Sequence, residues 1–140
     1  MAEARIRVFL ADDHPLIRTG LSLAFEFDPK VAIIGTADNG CDAIGEIERL
    51  LPDLVLMDID MPGLSGVAAI RELRKKFPVM QILVLSTYND RKYLEDSLEA
   101  GATGYVLKTI SIESLSNLII DIKEDKEVIS PYVLFLNRNS

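Results

Sequence analysis

The sequence has very few of the residues that build disulfides and zinc sites. Cys41 is the only cysteine and His14 the only histidine among 140 residues. A single cysteine cannot form an intrachain disulfide, and a structural zinc site needs a cluster of cysteine and histidine ligands. We therefore expect a reducing compartment, and we expect Cys41 to pack as a small hydrophobic residue rather than to act as a nucleophile.

Basic residues and long apolar runs are also scarce. Fifteen basic residues stand against 22 acidic ones, and the net charge of −7 gives no electrostatic footprint for nucleic acid. No apolar run approaches the ~18 residues of a membrane span. The opening MAEARIR lacks the apolar stretch of a signal peptide. We expect a cytoplasmic protein with no membrane partner, whose own residues do not bind DNA.

What the sequence does contain is a fivefold repeat of a short aliphatic run followed by a helical pattern. Such continuous runs are typical of strands buried on both faces of a sheet. The runs are Ile6 to Ala11, Val31 to Thr36, Leu54 to Met57, Ile82 to Ser86 and Gly104 to Leu107.

Helix-capping residues fit the same repeat. Asn39, Asp90 and Ser111 stand where helix N-caps are needed, while Pro52 and Pro78 follow helices that they could not continue. Strand and helix in alternation predict an α/β fold, a doubly wound five-stranded parallel sheet with helices on both faces. In such sheets the working site lies at the carboxyl ends of the strands.

Polar residues close four of the five predicted strands. They are Asp12 and Asp13 after the first, Asp58 after the third, Ser86 and Thr87 after the fourth, and Lys108 after the fifth. An isolated aspartate in such a position is usually a cap or turn residue, but four matching strand ends indicate a site. Three carboxylates together require a cation, and oxygen-only ligands with room for water suit Mg²⁺. A carboxylate beside Mg²⁺, a lysine and a hydroxyl are the parts of a phosphoryl-transfer site, with Asp58 as candidate nucleophile.

Over residues 5–125 the chain resembles the response-regulator receiver family of two-component systems. The resemblance rests on LADDHP, MDIDMPGLSG, LSTYND and GYVLK. DDHPLIRTGL and GATGYVLK are most similar to the NarL/FixJ (LuxR-type) subfamily, whose members usually continue into a helix-turn-helix output domain. The resemblance implies a flavodoxin-like receiver fold in residues 1–125, with 126–140 as a tail or the start of a linker to an output domain outside this chain.

The resemblance also implies a role for each site residue. Asp58 accepts the phosphoryl group from a sensor histidine kinase, without the turnover of an enzyme. Asp13, Asp58 and the backbone carbonyl of Asp60 hold Mg²⁺, and Asp12 assists through water. The remaining implied roles are phosphoryl contacts for Lys108, Ser86 and Thr87, a conformational switch formed by Ser86 and Tyr105, and tuning of dephosphorylation by Asp60 and Tyr88. DNA is then a partner only through the output domain.

Two other classes of protein fit part of the pattern. Asp58-Ile59-Asp60 has the D-x-D spacing of a haloacid dehalogenase-type phosphohydrolase, which sustained turnover of a phosphomonoester would reveal. A stand-alone receiver, similar to the chemotaxis regulator, would share the core chemistry and act by binding a protein partner. Whether the reading frame continues past Ser140 into a basic four-helix domain distinguishes this second alternative.

Several weaker features carry expectations of their own. The family often has proline after the lysine, but Thr109 follows Lys108 here, and a trans peptide bond is predicted because a cis one costs ~3–4 kcal/mol. We expect His14 to be a structural loop residue before Pro15, and RELRKK (71–76) to be a solvated helix face.

Apolar residues in the tail, Val128, Ile129, Tyr132, Val133, Phe135 and Leu136, predict self-association into a homodimer through the tail or the helices beside it.

Overall fold

The computed structural model describes residues 4–124 and contains five strands and five helices in strict alternation. The predicted tail contacts of residues 126–140 lie outside these residues. The elements are β1 (Ile6–Ala11), α1 (Pro15–Ala24), β2 (Val31–Ala37), α2 (Gly40–Leu50), β3 (Leu54–Asp58), α3 (Gly66–Lys76), β4 (Gln81–Ser86), α4 (Arg91–Ala100), β5 (Gly104–Leu107) and α5 (Ile112–Lys123).

All strands pair in parallel in the order β2-β1-β3-β4-β5. This order confirms the predicted doubly wound α/β fold. The chain adds β2 on one side of β1 and then adds β3, β4 and β5 on the other side. β3 is buried along its whole length, as expected for a strand covered on both faces. Within residues 4–124 no helix is long and apolar enough to cross a bilayer.

The helix starts follow from capping side chains. Asn39, Asp90 and Ser111 each accept a hydrogen bond from a backbone N–H of the first helical turn, as predicted. Ser65 caps α3 in the same way. A cap of this kind typically stabilises a helix by about 1 kcal/mol, so the loops at this edge enter their helices at fixed positions.

One expectation about side-chain environment is wrong, and a second, the solvated face of RELRKK, is confirmed for Arg71, Glu72, Lys75 and Lys76 but not for Arg74. Cys41 is exposed at the start of α2, because the inward positions of that helix are taken by Ala43 and Ile47. Arg74 is not part of a solvated face. It is half-buried and donates to the backbone carbonyl oxygens of Gly101, Phe77 and Pro78, joining the end of α3 to the turn before β5.

Helix α1 is unusual because none of its residues is buried, although its sequence PLIRTGLSLA is apolar. Leu16 is 86% exposed and Leu23 is 63% exposed. A groove of about 280 Å³ runs between α1 and α5, lined mainly by apolar side chains that include Leu16, Ile112 and Leu115. The described residues thus leave an apolar face on α1 open to a partner.

Candidate phosphoacceptor site

Three aspartates and a lysine meet at the carboxyl ends of β1, β3 and β5. Ala11 pairs with Met57 in the register of the central strands, so Asp12 and Asp58 emerge side by side. Both are buried, with Asp12 fully enclosed and Asp58 2% exposed. The Lys108 Nζ lies 2.8 Å from Asp12 Oδ2 and 3.2 Å from Asp58 Oδ2. The predicted convergence of these strand ends is present in the fold.

The balance of charge at Asp58 leaves its carboxyl easy to protonate. The pKa of Asp58 is raised from its usual 3.8 to about 6, mainly by burial and also by the neighbouring Asp12 charge. A hydrogen bond from the Asp60 backbone N–H, 3.0 Å from Asp58 Oδ1, and the ammonium of Lys108 oppose that shift. The positive charge of Lys108 therefore does not offset the effects of burial and of the Asp12 charge on the pKa of Asp58.

The donor set fits a divalent cation. Asp12, Asp13, His14 and Asp58 each present a ligand atom within 4.8 Å of the others. Asp13 Oδ1 and Asp12 Oδ2 are buried oxygens that accept no hydrogen bond, although Lys108 makes an ion-pair contact with the latter. Buried carboxylate oxygens without donors are costly, and a hard cation would satisfy them.

The loop after β3 depends on a close backbone approach. A Cβ at Gly66 would lie 2.2 Å from the carbonyl oxygen of Asp58 and 2.4 Å from the Cα of Ile59. The Gly66 N–H donates to the Ile59 carbonyl at 3.2 Å. Glycine at the start of α3 thus lets the helix press directly on the strand end that presents Asp58. The sequence reading missed this role, because a glycine after a serine cap has no distinctive pattern.

The predicted switch residues lie along β4 and β5. Ser86 is buried, and its Oγ accepts a hydrogen bond from the Tyr88 N–H at 2.9 Å. The Tyr105 ring is buried and its hydroxyl donates to the Tyr88 carbonyl at 2.5 Å. The Lys108 N–H donates to the Ser86 carbonyl at 2.8 Å, which ties the two strand ends together. Thr87 is exposed beside them.

The two residues predicted to tune dephosphorylation contact each other. The Tyr88 hydroxyl donates to Asp60 Oδ2 at 3.0 Å, and this bond raises the pKa of Tyr88. The Tyr88 ring also stacks on Tyr93 of α4, with centroids 4.4 Å apart and planes 15° apart. Tyr88 therefore bridges the loop after β3 and the first turn of α4.

His14 lies in the loop before Pro15, as predicted, at the N-cap of α1. Its Nδ1 lies 2.9 Å from Asp12 Oδ1, 3.2 Å from Asp13 Oδ1 and 3.7 Å from Asp58 Oδ2, so the ring also borders the site. The Lys108–Thr109 peptide bond is trans, as predicted.

We call the carboxylates of Asp12, Asp13 and Asp58 the acidic rim. This rim, together with Lys108 at the carboxyl edge of a sheet with strand order 2-1-3-4-5, defines a receiver-type α/β protein. A family model for the response regulator receiver domain matches residues 8–120. The chain belongs to that family.

Curated relatives and solved structures agree with this assignment. The chain is 33% identical over 131 residues to the transcriptional regulatory protein DegU of Brevibacillus brevis, covering 94% of this chain and 56% of the relative. A LuxR-family two-component response regulator from Aurantimonas sp. SI85-9A1 superposes with a TM-score of 0.86 at 28% identity, over 97% of this chain and 98% of that one. The receiver domain of the putative response regulator NarL from Mycobacterium tuberculosis gives 0.83 at 29% identity, covering 89% and 100%.

These comparisons confirm the resemblance to LuxR/NarL-type receivers and do not favour the phosphohydrolase or stand-alone alternatives. The chain spans only about half the length of the curated relatives it matches.

Proposed function

We propose that Asp58 accepts a phosphoryl group from a sensor histidine kinase in the cytoplasm and that the protein acts as a switch rather than as a turnover enzyme. The observation that carries this proposal is the buried Asp58 carboxylate, 3.2 Å from Lys108 Nζ and beside two further carboxylates. A phosphoryl acceptor needs a nucleophilic oxygen and fixed positive charge next to it, and this rim supplies both.

Each neighbouring residue has a role in that transfer. Asp13, Asp58 and the Asp60 carbonyl would hold Mg²⁺, with Asp12 contributing through water. The bound ion supplies neutralisation of charge on the phosphoryl oxygens. Lys108, Ser86 and Thr87 are the chain's own donors to those oxygens. Asp58 attacks phosphorus with a carboxylate oxygen, and the bond from phosphorus to the donor breaks.

The switch uses bonds already seen at the end of β4. Ser86 Oγ accepts from the Tyr88 N–H, so donation to a phosphoryl oxygen would change how that loop is held. Tyr105 bonds to the same segment through the Tyr88 carbonyl. A new dianion at Asp58 thus favours one packing of the β4–α4 loop over another.

Transcription regulation is proposed through an output domain outside this chain, because the relatives that it matches are transcriptional regulatory proteins of greater length. DNA would be contacted by that domain only. A second copy of the chain is a further proposed partner, supported by the uncovered apolar helix α1.

The direct test is labelling with a small acyl-phosphate donor in Mg²⁺, read by intact mass. Wild type should gain one phosphoryl group and Asp58→Asn none. Asp60→Asn is the matched control, because it removes the neighbouring carboxylate but should still be labelled. Labelling that persists in Asp58→Asn and disappears in Asp60→Asn would overturn the assignment.

A further inference from the structure

Helix α4 is attached to the rest of the fold differently at its two ends. Its last turn ends at Gly101, which has a φ of 115° and donates its N–H to the Leu98 carbonyl. The chain then joins the sheet at once. The Thr103 N–H donates to the Ile82 carbonyl at 2.7 Å, and the Thr103 hydroxyl accepts from the Ile82 N–H at 3.0 Å. This end of α4 is therefore bonded to β4 within two residues.

Arg74 attaches the same end of α4 to α3. Its Nε and Nη2 donate to the Gly101 carbonyl at 3.1 and 2.6 Å, and its Nη1 donates to the carbonyls of Phe77 and Pro78 at 3.1 and 3.0 Å. The planar guanidinium thus connects the end of one helix to the end of the next with a geometry that an ammonium cannot reproduce. A Cβ on Gly101 would lie 2.9 Å from Arg74 Cγ and Nε, so the two residues are also packed against each other.

The loop that leads into the first turn of α4 has no comparable attachment. In the part of the chain that the structure describes, residues 87–90 make no backbone–backbone hydrogen bond to another element. They are held through Tyr88 instead. Its N–H donates to Ser86 Oγ and its carbonyl accepts from the Tyr105 hydroxyl, while its own hydroxyl donates to Asp60 Oδ2. Each of these bonds involves a side chain, so a change of rotamer is enough to break it.

The two ends of α4 therefore respond differently when the loop after β4 is repacked. The bonds of Tyr88 are lost by rotation about single bonds, whereas the Gly101 end moves only if the bonds to β4 and to Arg74 break together. A helix of ten residues that is fixed at one end rotates about that end, so its displacement is largest in the first turn and smallest in the last.

We propose that Arg74 is a positioning residue that makes the Gly101 end of α4 a fixed pivot, so that a change at Asp58 displaces the first turn of the helix and leaves its last turn in place. The inference rests on the proposed function for its trigger and deepens it by assigning the surface that moves. That surface carries the exposed side chains of Arg91, Lys92 and Glu95.

The first test needs no phosphorylation. Tyr88→Phe removes the bond to Asp60, and mass spectrometry then follows amide hydrogen exchange in peptides covering residues 87–94 and 97–104. Exchange should rise severalfold in 87–94 and stay within about twofold in 97–104. When Arg74→Lys is added to Tyr88→Phe, exchange should rise severalfold in both peptides, because the pivot is then free. Arg71→Lys, on the exposed side of α3, is the matched control and should leave 97–104 protected.

Three results of this test would overturn the pivot. The first is an equal rise in both peptides while Arg74 is present, and the second is a 97–104 peptide that stays protected after Arg74→Lys. The third is an unchanged 87–94 peptide in Tyr88→Phe, which would show that Tyr88 does not hold the first turn. Gly101→Ala, which places a methyl group against Arg74, should act as Arg74→Lys does and serves if that variant folds poorly.

A second measurement separates a pivot from a merely structural role of Arg74. A structural role would raise exchange of 97–104 in Arg74→Lys by the same factor with and without Mg²⁺ and beryllofluoride, a phosphoryl mimic. A pivot predicts a rise that is severalfold larger with the mimic, while in wild type the mimic alters 87–94 alone. If the mimic changes neither peptide in wild type, the proposed function fails, and the Tyr88→Phe comparison still decides whether Arg74 fixes the pivot.

Discussion

At the scale of single residues, Asp58 is the group whose protonation the fold alters most clearly. Its buried carboxyl has a pKa of about 6, against the usual 3.8. Between those values the folded protein holds a proton that the unfolded chain has released. A raised carboxyl pKa therefore lowers stability as pH rises through this window, and the loss is complete above it.

Asp58→Asn should consequently be more stable than wild type at pH 7 by about 2 kcal/mol in buffer containing EDTA. The difference should shrink towards pH 3, where the wild-type carboxyl is mostly protonated in both states. Urea unfolding at the two pH values measures it. Glu99→Gln, at an exposed carboxylate on α4, should show no comparable gain. A pH-independent gain in Asp58→Asn would contradict the burial argument.

The Tyr88–Asp60 hydrogen bond joins the loops after β3 and β4 at 3.0 Å. Tyr88→Phe keeps the ring that stacks on Tyr93 but removes this bond. We expect the aspartyl phosphate to hydrolyse severalfold faster, because the two loops are then free to separate and admit water. Decay of the phosphoprotein at fixed Mg²⁺, compared with Tyr93→Phe as control, measures this. An unchanged decay rate in Tyr88→Phe would remove Tyr88 as a tuning residue.

At the scale of elements, the junction of β3 and α3 is the tightest place in the site. Gly66→Ala would place a methyl group against backbone atoms of Asp58 and Ile59. Backbone atoms of a buried strand end cannot move aside as the end of a flexible side chain can. We expect a loss of about 3 kcal/mol or more in unfolding free energy.

The matched control is Gly45→Ala in α2, where a new Cβ meets nothing within 4 Å. There alanine should stabilise the helix by up to about 1 kcal/mol. Urea unfolding of both variants gives the comparison. If the two substitutions had equal effects, the close approach at Gly66 would not constrain the fold.

Arg74 links α3 to the turn between α4 and β5 through two hydrogen bonds to the Gly101 carbonyl, at 2.6 and 3.1 Å. Arg74→Lys should cost about 1–3 kcal/mol, because an ammonium cannot reproduce the planar fork that contacts several carbonyls. Arg71→Lys, on the exposed side of the same helix, should change stability by less than about 0.5 kcal/mol. Thermal unfolding of the two variants tests the difference.

At the scale of the whole molecule, the sequence predicted the element order and the converging strand ends, because buried parallel strands leave continuous aliphatic runs. What it could not give were contacts made by long side chains across elements. Arg74 looked like part of a solvated helix face, since only the folded chain shows the backbone carbonyls that surround its guanidinium. Cys41 was misplaced because helix phase, not hydrophobicity, decides which residues of α2 turn inward.

Self-association belongs to this scale as well. Leu16 and Leu23 expose large apolar side chains on α1. If a second copy covers them, light scattering should show a mass that rises with concentration, and Leu16→Asp with Leu23→Asp should remain monomeric. Val79→Asp, at a residue 90% exposed elsewhere, is the control. A chain that ends at Asp125 lacks the tail, so its mass shows whether the tail or α1 is responsible for the association. If the full chain stays monomeric at every concentration, neither surface mediates self-association.

The aromatic side chains determine the intrinsic fluorescence of this protein. The chain has no tryptophan and four tyrosines, so tyrosine alone determines its ultraviolet emission. Tyr88, Tyr93 and Tyr105 are joined by one stack and one hydrogen bond, and the Tyr88 hydroxyl donates to the Asp60 carboxylate. Any event at Asp58 that moves the loop after β4 will therefore alter the intrinsic fluorescence, and the unlabelled protein can serve as its own sensor.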